Sequence, residues 1–205
     1  PYIYSSEAFS HLQEHNSYYK IKHRKENTII GLINLAKYIA DTDSHLLFII
    51  RNQKSVIDSY YKRWSFLYKN ENELFIDFPY EKNKHISKRT FKFKNNYGMI
   101  YLNTFNYRLI LSIICNFVKK KNIHIIPYEY LLNNKKLFLN KLNKVFQRDL
   151  TFLLPKLDKK INSSEKIKTK SLSKKFLNEI HKEFVYDNKI LDKSFNLNLK
   201  KLGYY

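Results

Sequence analysis

An Arg at the end of an apolar run, followed at once by a helical pattern, is equipped to recognise an anion. In the stretch from His45 to Tyr68 that residue is Arg51, and Ser59 lies two helical turns further on. A guanidinium fork matches the oxygens of a phosphate, and the free amides of a helix N-terminus attract negative charge. A second polar cluster, Ser5-Ser6-Glu7, directly follows Tyr2-Ile3-Tyr4, which reads as the end of another strand. There Ser5 or Ser6 can cap a helix and Glu7 can complete its first turn, where the helix dipole favours an acidic charge. Arg51 and Ser59 also have a plainer reading, as a solvated strand-end Arg and a helix-surface Ser.

The elements that must position these groups are legible from hydrophobic periodicity. Leu46 to Ile50 is a continuous apolar run, as expected of a parallel strand covered on both faces. Val56, Ile57, Tyr60, Tyr61, Trp64, Leu67 and Tyr68 then recur at helical spacing, with Lys54, Asp58, Lys62 and Arg63 outward. A strand feeding a helix places its last residue at the carboxyl edge of the sheet, where open α/β folds bind ligands. Upstream, residues 26–41 form an amphipathic helix through Ile29, Leu32, Ile33, Ala36, Ile39 and Ala40, expected to cross over between the Tyr2 strand and the Leu46 strand. Downstream the pattern predicts a helix over 103–121 with Phe105, Leu109, Ile110, Ile113, Ile114, Phe117 and Val118 inward, then a buried strand over 123–126. Helices follow over 134–147 and 171–195. Residues 70–96 lose periodicity, and the lysine-rich run 155–170 reads as a mobile loop. The expected architecture is one three-layer α/β domain, a parallel sheet flanked by helices.

Composition bounds the function. Thirty-eight Lys and Arg against 18 Asp and Glu give a formal charge of +20, which invites a polyanion reading. The abundant residues, Lys, Asn, Ile, Tyr and Phe, all have A- and T-rich codons, so part of the lysine excess reflects base composition. The remainder is uneven, with 14 Lys and Arg against 4 Asp and Glu between Lys119 and Lys170. An anionic cofactor or acceptor accounts for that clustering, and so does a solvated face. A single Cys excludes an intrachain disulfide, and no apolar run approaches the roughly 20 residues of a membrane span, so a cytoplasmic location is expected. His11, His15 and His23 lie close together, but no acidic or Cys ligand stands at a recognisable spacing, and no metal site is expected.

The Arg51 segment resembles the second nucleotide-binding segment of sulfotransferases that use 3′-phosphoadenosine 5′-phosphosulfate, where a strand ends in Arg and a Ser follows eight residues later. The resemblance continues through the strand at 123–126 and Tyr128-Glu129-Tyr130-Leu131, similar to the family's Tyr-Glu-acid-Leu run, with Tyr130 in the acidic position. It ends at Leu202-Gly203-Tyr204, similar to the tail of bacterial members. The resemblance implies a P-loop-like sulfotransferase fold and transfer of a sulfuryl group to a hydroxyl or amine, on a carbohydrate more than on a small phenol. It gives Arg51 and Ser59 the nucleotide's 3′-phosphate, Glu7 the role of general base, and Tyr107 a place near adenine. Lys159, Lys160 and Asn162 fall where a basic loop closes over the nucleotide, and Tyr80, His85, Lys88 and Arg89 where the acceptor binds.

The family opens with a phosphate-binding loop whose Lys grips the 5′-phosphosulfate. None of Gly31, Gly98 and Gly203 lies between a strand and a helix beside a Lys, and the chain starts at Pro1 inside a strand, so that loop is expected upstream. Two alternatives stand beside the enzyme. One is a binding protein of the same fold without the chemistry, recognising a nucleotide or a sulfated polymer. The other is a basic nucleic-acid binder stacking bases on interleaved Tyr and Phe, for which no recognition motif is present.

Overall fold

The two apolar runs pair with each other. The computed structural model describes residues 21–64, 76–77, 100–101, 105–158 and 171–205. Among these, four strands form, β1 (Leu46–Ile50), β2 (Ile76–Asp77), β3 (Ile100–Tyr101) and β4 (Ile123–Pro127). β1 and β4 are parallel, with Leu46 opposite Ile123 and Ile50 opposite Pro127, and β2 pairs with β3, also in parallel. The helices are α1 (Ile21–Asp41), α2 (Gln53–Trp64), α3 (Tyr107–Ile114), α4 (Glu129–Asn133), α5 (Lys135–Phe146) and α6 (Lys174–Phe195). The described chain is therefore a helix-rich α/β arrangement around a small parallel sheet.

One main core lies between β1, β4, α1, α3 and α6. Leu32, Ala36 and Ile39 of α1 meet Tyr107, Ile110, Leu111 and Ile114 of α3, and Ile50, Ile125, Leu191, Leu199 and Tyr204 complete the cluster. On β1 the period-two alternation decides what faces this core. Leu46, Phe48 and Ile50 pack against it, whereas Ile49 is 47% exposed. The expectation of cover on both faces of β1 is thus not met at Ile49, because the main core lies on the opposite face. α5 packs on β4, where Ile126, Phe138 and Leu139 are buried. At the amino ends of the strands, Nδ1 of His45 and Nε2 of His124 share a hydrogen bond of 2.8 Å.

Local chemistry sets where the helices stop. α1 ends where Asp43 adopts a left-handed conformation (φ 46°) and the Ser44 amide reaches back to the Ile39 carbonyl, a Schellman closure. α3 is shorter than the helix predicted over 103–121. It begins at Asn106, whose side chain accepts from the Leu109 amide, and after Ile114 the amides of Asn116 and Phe117 tighten to three-residue bonds. Of the residues expected to face inward, Ile110, Ile114 and Val118 are buried and Ile113 packs against the core; Tyr107 and Leu111 join them, and Phe117 is exposed instead. α5 and α6 begin at side-chain caps, Asn134 accepting from Leu137 and Ser173 from Phe176. Of the loop predicted over 155–170, residues 155–158 belong instead to a 3₁₀ helix, Thr151–Asp158, and residues 159–170 lie outside the described residues. The Asp149 carboxylate starts that helix by accepting from the Thr151 amide and hydroxyl. The Tyr2 strand lies outside the described residues. No helix among the described residues is long and apolar enough to cross a membrane.

Leu111 is 1% exposed within the main core. Leu111→Ala is expected to cost about 2–5 kcal/mol in urea denaturation. Phe152→Ala, at a side chain 65% exposed, is expected to stay within about 0.5 kcal/mol of the unaltered chain. Equal costs at the two positions would contradict this assignment of the core.

Candidate functional site

Arg51 follows β1 directly, and the next residue, Asn52, starts α2. The Asn52 carbonyl accepts the first helical bond, from Val56, and its Oδ1 accepts from the Lys54 amide at 3.1 Å. Asn52 is thus an N-cap of the usual kind. The helix start it forms carries no acidic residue in its first turn, so the positive end of the α2 dipole is not neutralised from within the helix. Arg51 is half-buried. Its Nε and Nη2 donate to Ser55 Oγ at 3.2 and 2.9 Å, and its guanidinium lies 5.4 Å from the centre of the Tyr128 ring. The guanidinium, the Ser55 hydroxyl and the first turn of α2 therefore stand together at the carboxyl end of β1.

The main chain here is clamped from three directions. From α3, the Tyr107 hydroxyl donates to the Arg51 carbonyl at 2.7 Å and accepts from the Arg51 amide at 3.2 Å. From the end of β4, the Tyr128 amide donates to the Ile50 carbonyl at 2.7 Å. The buried Glu129 carboxylate accepts from the Asn52 amide at 2.8 Å through Oε1 and from the Tyr204 hydroxyl at 2.7 Å through Oε2. From the C-terminal tail, the Gly203 carbonyl accepts from Asn52 Nδ2 at 2.6 Å. Gln53 is held as firmly, its side-chain amide paired in both directions with that of Asn188 at 3.0 Å and donating to the Phe105 carbonyl at 3.2 Å. Asn188 also donates to the Tyr204 carbonyl at 3.0 Å. These buried amides and the carboxylate all have partners, as groups removed from water require.

Burial pushes the Tyr107 phenol well above its ordinary range, with its bond to the Arg51 backbone working the other way. Burial, and then the adjacent Glu129 carboxylate, raise Tyr204 further. Both phenols therefore stay protonated at neutral pH and remain donors to the carbonyl and the carboxylate they face. The tail that carries Tyr204 is pinned by Asp192, which accepts from the Leu197 and Leu199 amides, each at 3.0 Å, and from the Tyr205 hydroxyl at 2.6 Å. Gly203 turns the tail at φ 77°, a left-handed conformation that L residues rarely adopt.

Of the residues singled out by sequence, the structure brings Arg51 and Tyr107 together. Tyr107 does so as a clamp on the Arg51 backbone. Ser59 is exposed on α2, and the hydroxyl touching Arg51 is that of Ser55. Ser55 and Ser59 are four residues apart, so they share one face of α2 beyond the guanidinium. Glu7, Tyr80, His85, Lys88, Arg89, Lys159, Lys160 and Asn162 lie outside the described residues. Sequence reasoning assigned no role to Ser55, Asn52, Gln53 or Asn188, and it noticed Glu129 and Tyr204 only as parts of motifs. A buried Asn or Gln leaves little mark in a pattern read from apolar residues. Compared with family models, with curated proteins and with solved structures, the chain matches none.

Asp192 carries a pH dependence. Burial raises its carboxyl, but the hydrogen bonds from Tyr205, Leu199 and Leu197 outweigh burial and hold it below the ordinary carboxylate value. A depressed folded value stabilises the native state above the unfolded carboxylate pKa of about 3.9, and the contribution is lost as pH falls below it. The stability difference between the unaltered chain and Asp192→Asn is therefore expected to be constant from about pH 7 to 5 and to shrink below about pH 4. Urea midpoints across that range check this, and a difference that persists undiminished to about pH 3 would contradict it.

Proposed function

We propose that the chain acts as a sulfotransferase that uses 3′-phosphoadenosine 5′-phosphosulfate. The carrying observation is the convergence on one helix start of three segments that resemble the family independently. The Arg51 segment, the Tyr128-Glu129 run and the Gly203-Tyr204 tail meet through the Glu129 carboxylate and the Asn52 side chain. In this reading Arg51, Ser55 and Ser59 hold the 3′-phosphate, with the amides at the start of α2 facing the same anion. The parallel pair β1–β4 belongs to a larger, three-layer sheet of P-loop type, in a single domain.

In the reaction, the acceptor oxygen or nitrogen attacks sulfur in line. The new bond to sulfur forms as the bond between sulfur and the bridging phosphate oxygen breaks, and adenosine 3′,5′-bisphosphate leaves. Glu7 takes the acceptor's proton, a contribution on the order of 10² to 10⁴ in rate. Lys159, Lys160 and Asn162 close over the nucleotide. Tyr80, His85, Lys88 and Arg89 contact the acceptor, a glycan hydroxyl or amine in a cytoplasmic reaction. In the family the charge on the leaving oxygen is met by the Lys of a phosphate-binding loop, and in this reading no metal takes part.

Titration calorimetry of adenosine 3′,5′-bisphosphate into the full chain tests the reading. A charge-assisted hydrogen bond is worth about 1.5–3 kcal/mol, so Arg51→Ala is expected to weaken binding roughly 10- to 100-fold. Equal affinity in the two proteins would overturn the site. A chain that ignores the bisphosphate but binds single-stranded oligonucleotide with a steep salt dependence would replace the enzyme reading with a nucleic-acid binder.

A further inference from the structure

The C-terminal tail does more at this site than fill space. Its Gly203 carbonyl takes a hydrogen bond from the Asn52 side chain, its Tyr204 hydroxyl donates to the carboxylate that holds the Asn52 amide, and its Tyr204 carbonyl takes one from the Asn188 amide paired with Gln53. All three polar contacts end, directly or through one intermediary, on Asn52 or Gln53, the cap and first residue of α2. The Tyr204 ring is fully buried, and a purely apolar role in the core would be served as well by Phe. The hydroxyl is what the contact to Glu129 uses.

We propose that Glu129 and Tyr204 are positioning residues for the start of α2, so that the C-terminal tail fixes the peptide from which the Arg51 guanidinium and the first amides of the helix address an anion. Glu129 reaches Asn52 across 77 residues of sequence and Tyr204 reaches Glu129 across 75, so two distant segments hold the helix start in addition to the cap that Asn52 itself makes. A carboxylate with two acceptor oxygens suits the task, because each oxygen is spent on one donor and the group cannot rotate without losing both. Buried away from water, losing either donor is costly, which makes the arrangement stiff. The inference rests on the nucleotide reading for the identity of the anion and on the geometry alone for the positioning.

Tyr204→Phe removes the hydroxyl and keeps the ring. Two measurements on the full chain separate positioning from general stability. Amide hydrogen exchange compares Asn52, which donates to Glu129, with Tyr128, which donates to Ile50 in the adjacent sheet. Exchange at Asn52 is expected to accelerate at least several-fold more than at Tyr128, whereas Leu139→Ala, a core truncation on α5, is expected to speed the two together. Calorimetry with adenosine 3′,5′-bisphosphate, well below each protein's melting temperature, is expected to show about tenfold weaker binding in Tyr204→Phe and none of that loss in Leu139→Ala. Equal acceleration at Asn52 and Tyr128 in Tyr204→Phe would overturn the positioning role, whatever the ligand. Failure of the unaltered chain to bind the bisphosphate would contradict the nucleotide reading, with the exchange comparison still deciding whether Tyr204 positions the helix start.

Discussion

The buried carboxylate of Glu129 is the junction on which the described structure depends. It stands where β4 gives way to α4, and its two oxygens tie the start of α2 to the end of the chain. A charge removed from water is tolerable only when its partners are in place, and removing one partner of such a group leaves a penalty that can reach several kcal/mol. The carboxylate admits only an arrangement that brings the Asn52 amide and the Tyr204 hydroxyl to it together, so it selects the tail's path and the helix's starting point at once.

The same junction shapes the electrostatics of the edge. Glu129 places a negative charge on the inner side of the helix start, where the Asn52 amide and a phenol absorb it. Arg51 projects its guanidinium from the next peptide toward Ser55 and the face of Tyr128. The Arg51 backbone is held on both its amide and its carbonyl by one hydroxyl, that of Tyr107. A rigid backbone beneath a half-buried cation is what preorganised anion binding requires, because the entropy of fixing the peptide is met on folding rather than on binding.

What the sequence made legible follows from the range of the interactions. Both main strands were visible as continuous apolar runs and the start of α5 as Asn134, because those signals are local, whereas α6 is capped by Ser173, two residues after its expected start at 171. The length of α3 was not legible, and of its stripe Ile110 and Ile114 were but Leu111 was not, since what buries Leu111 is a core built by α1 and α6. Arg51 was recognisable by its place after an apolar run. That its side chain folds back on Ser55 was not legible, because a spacing rule fixes where a residue falls on a helix but not which neighbour a long side chain reaches. Glu129, Asn188 and Tyr204 were beyond local reading altogether, since each contact joins segments far apart in the chain.

The start of α2, as held by Glu129, is the proposed meeting point of this basic chain with an anion. Mapping backbone amide and Arg side-chain resonances during titration with adenosine 3′,5′-bisphosphate tests it most directly. The largest changes are expected at the Gln53, Lys54 and Ser55 amides and at Arg51 Nε, saturating together. Changes confined to Lys119–Lys121 and the lysines of α5, with the α2 start unmoved, would contradict it.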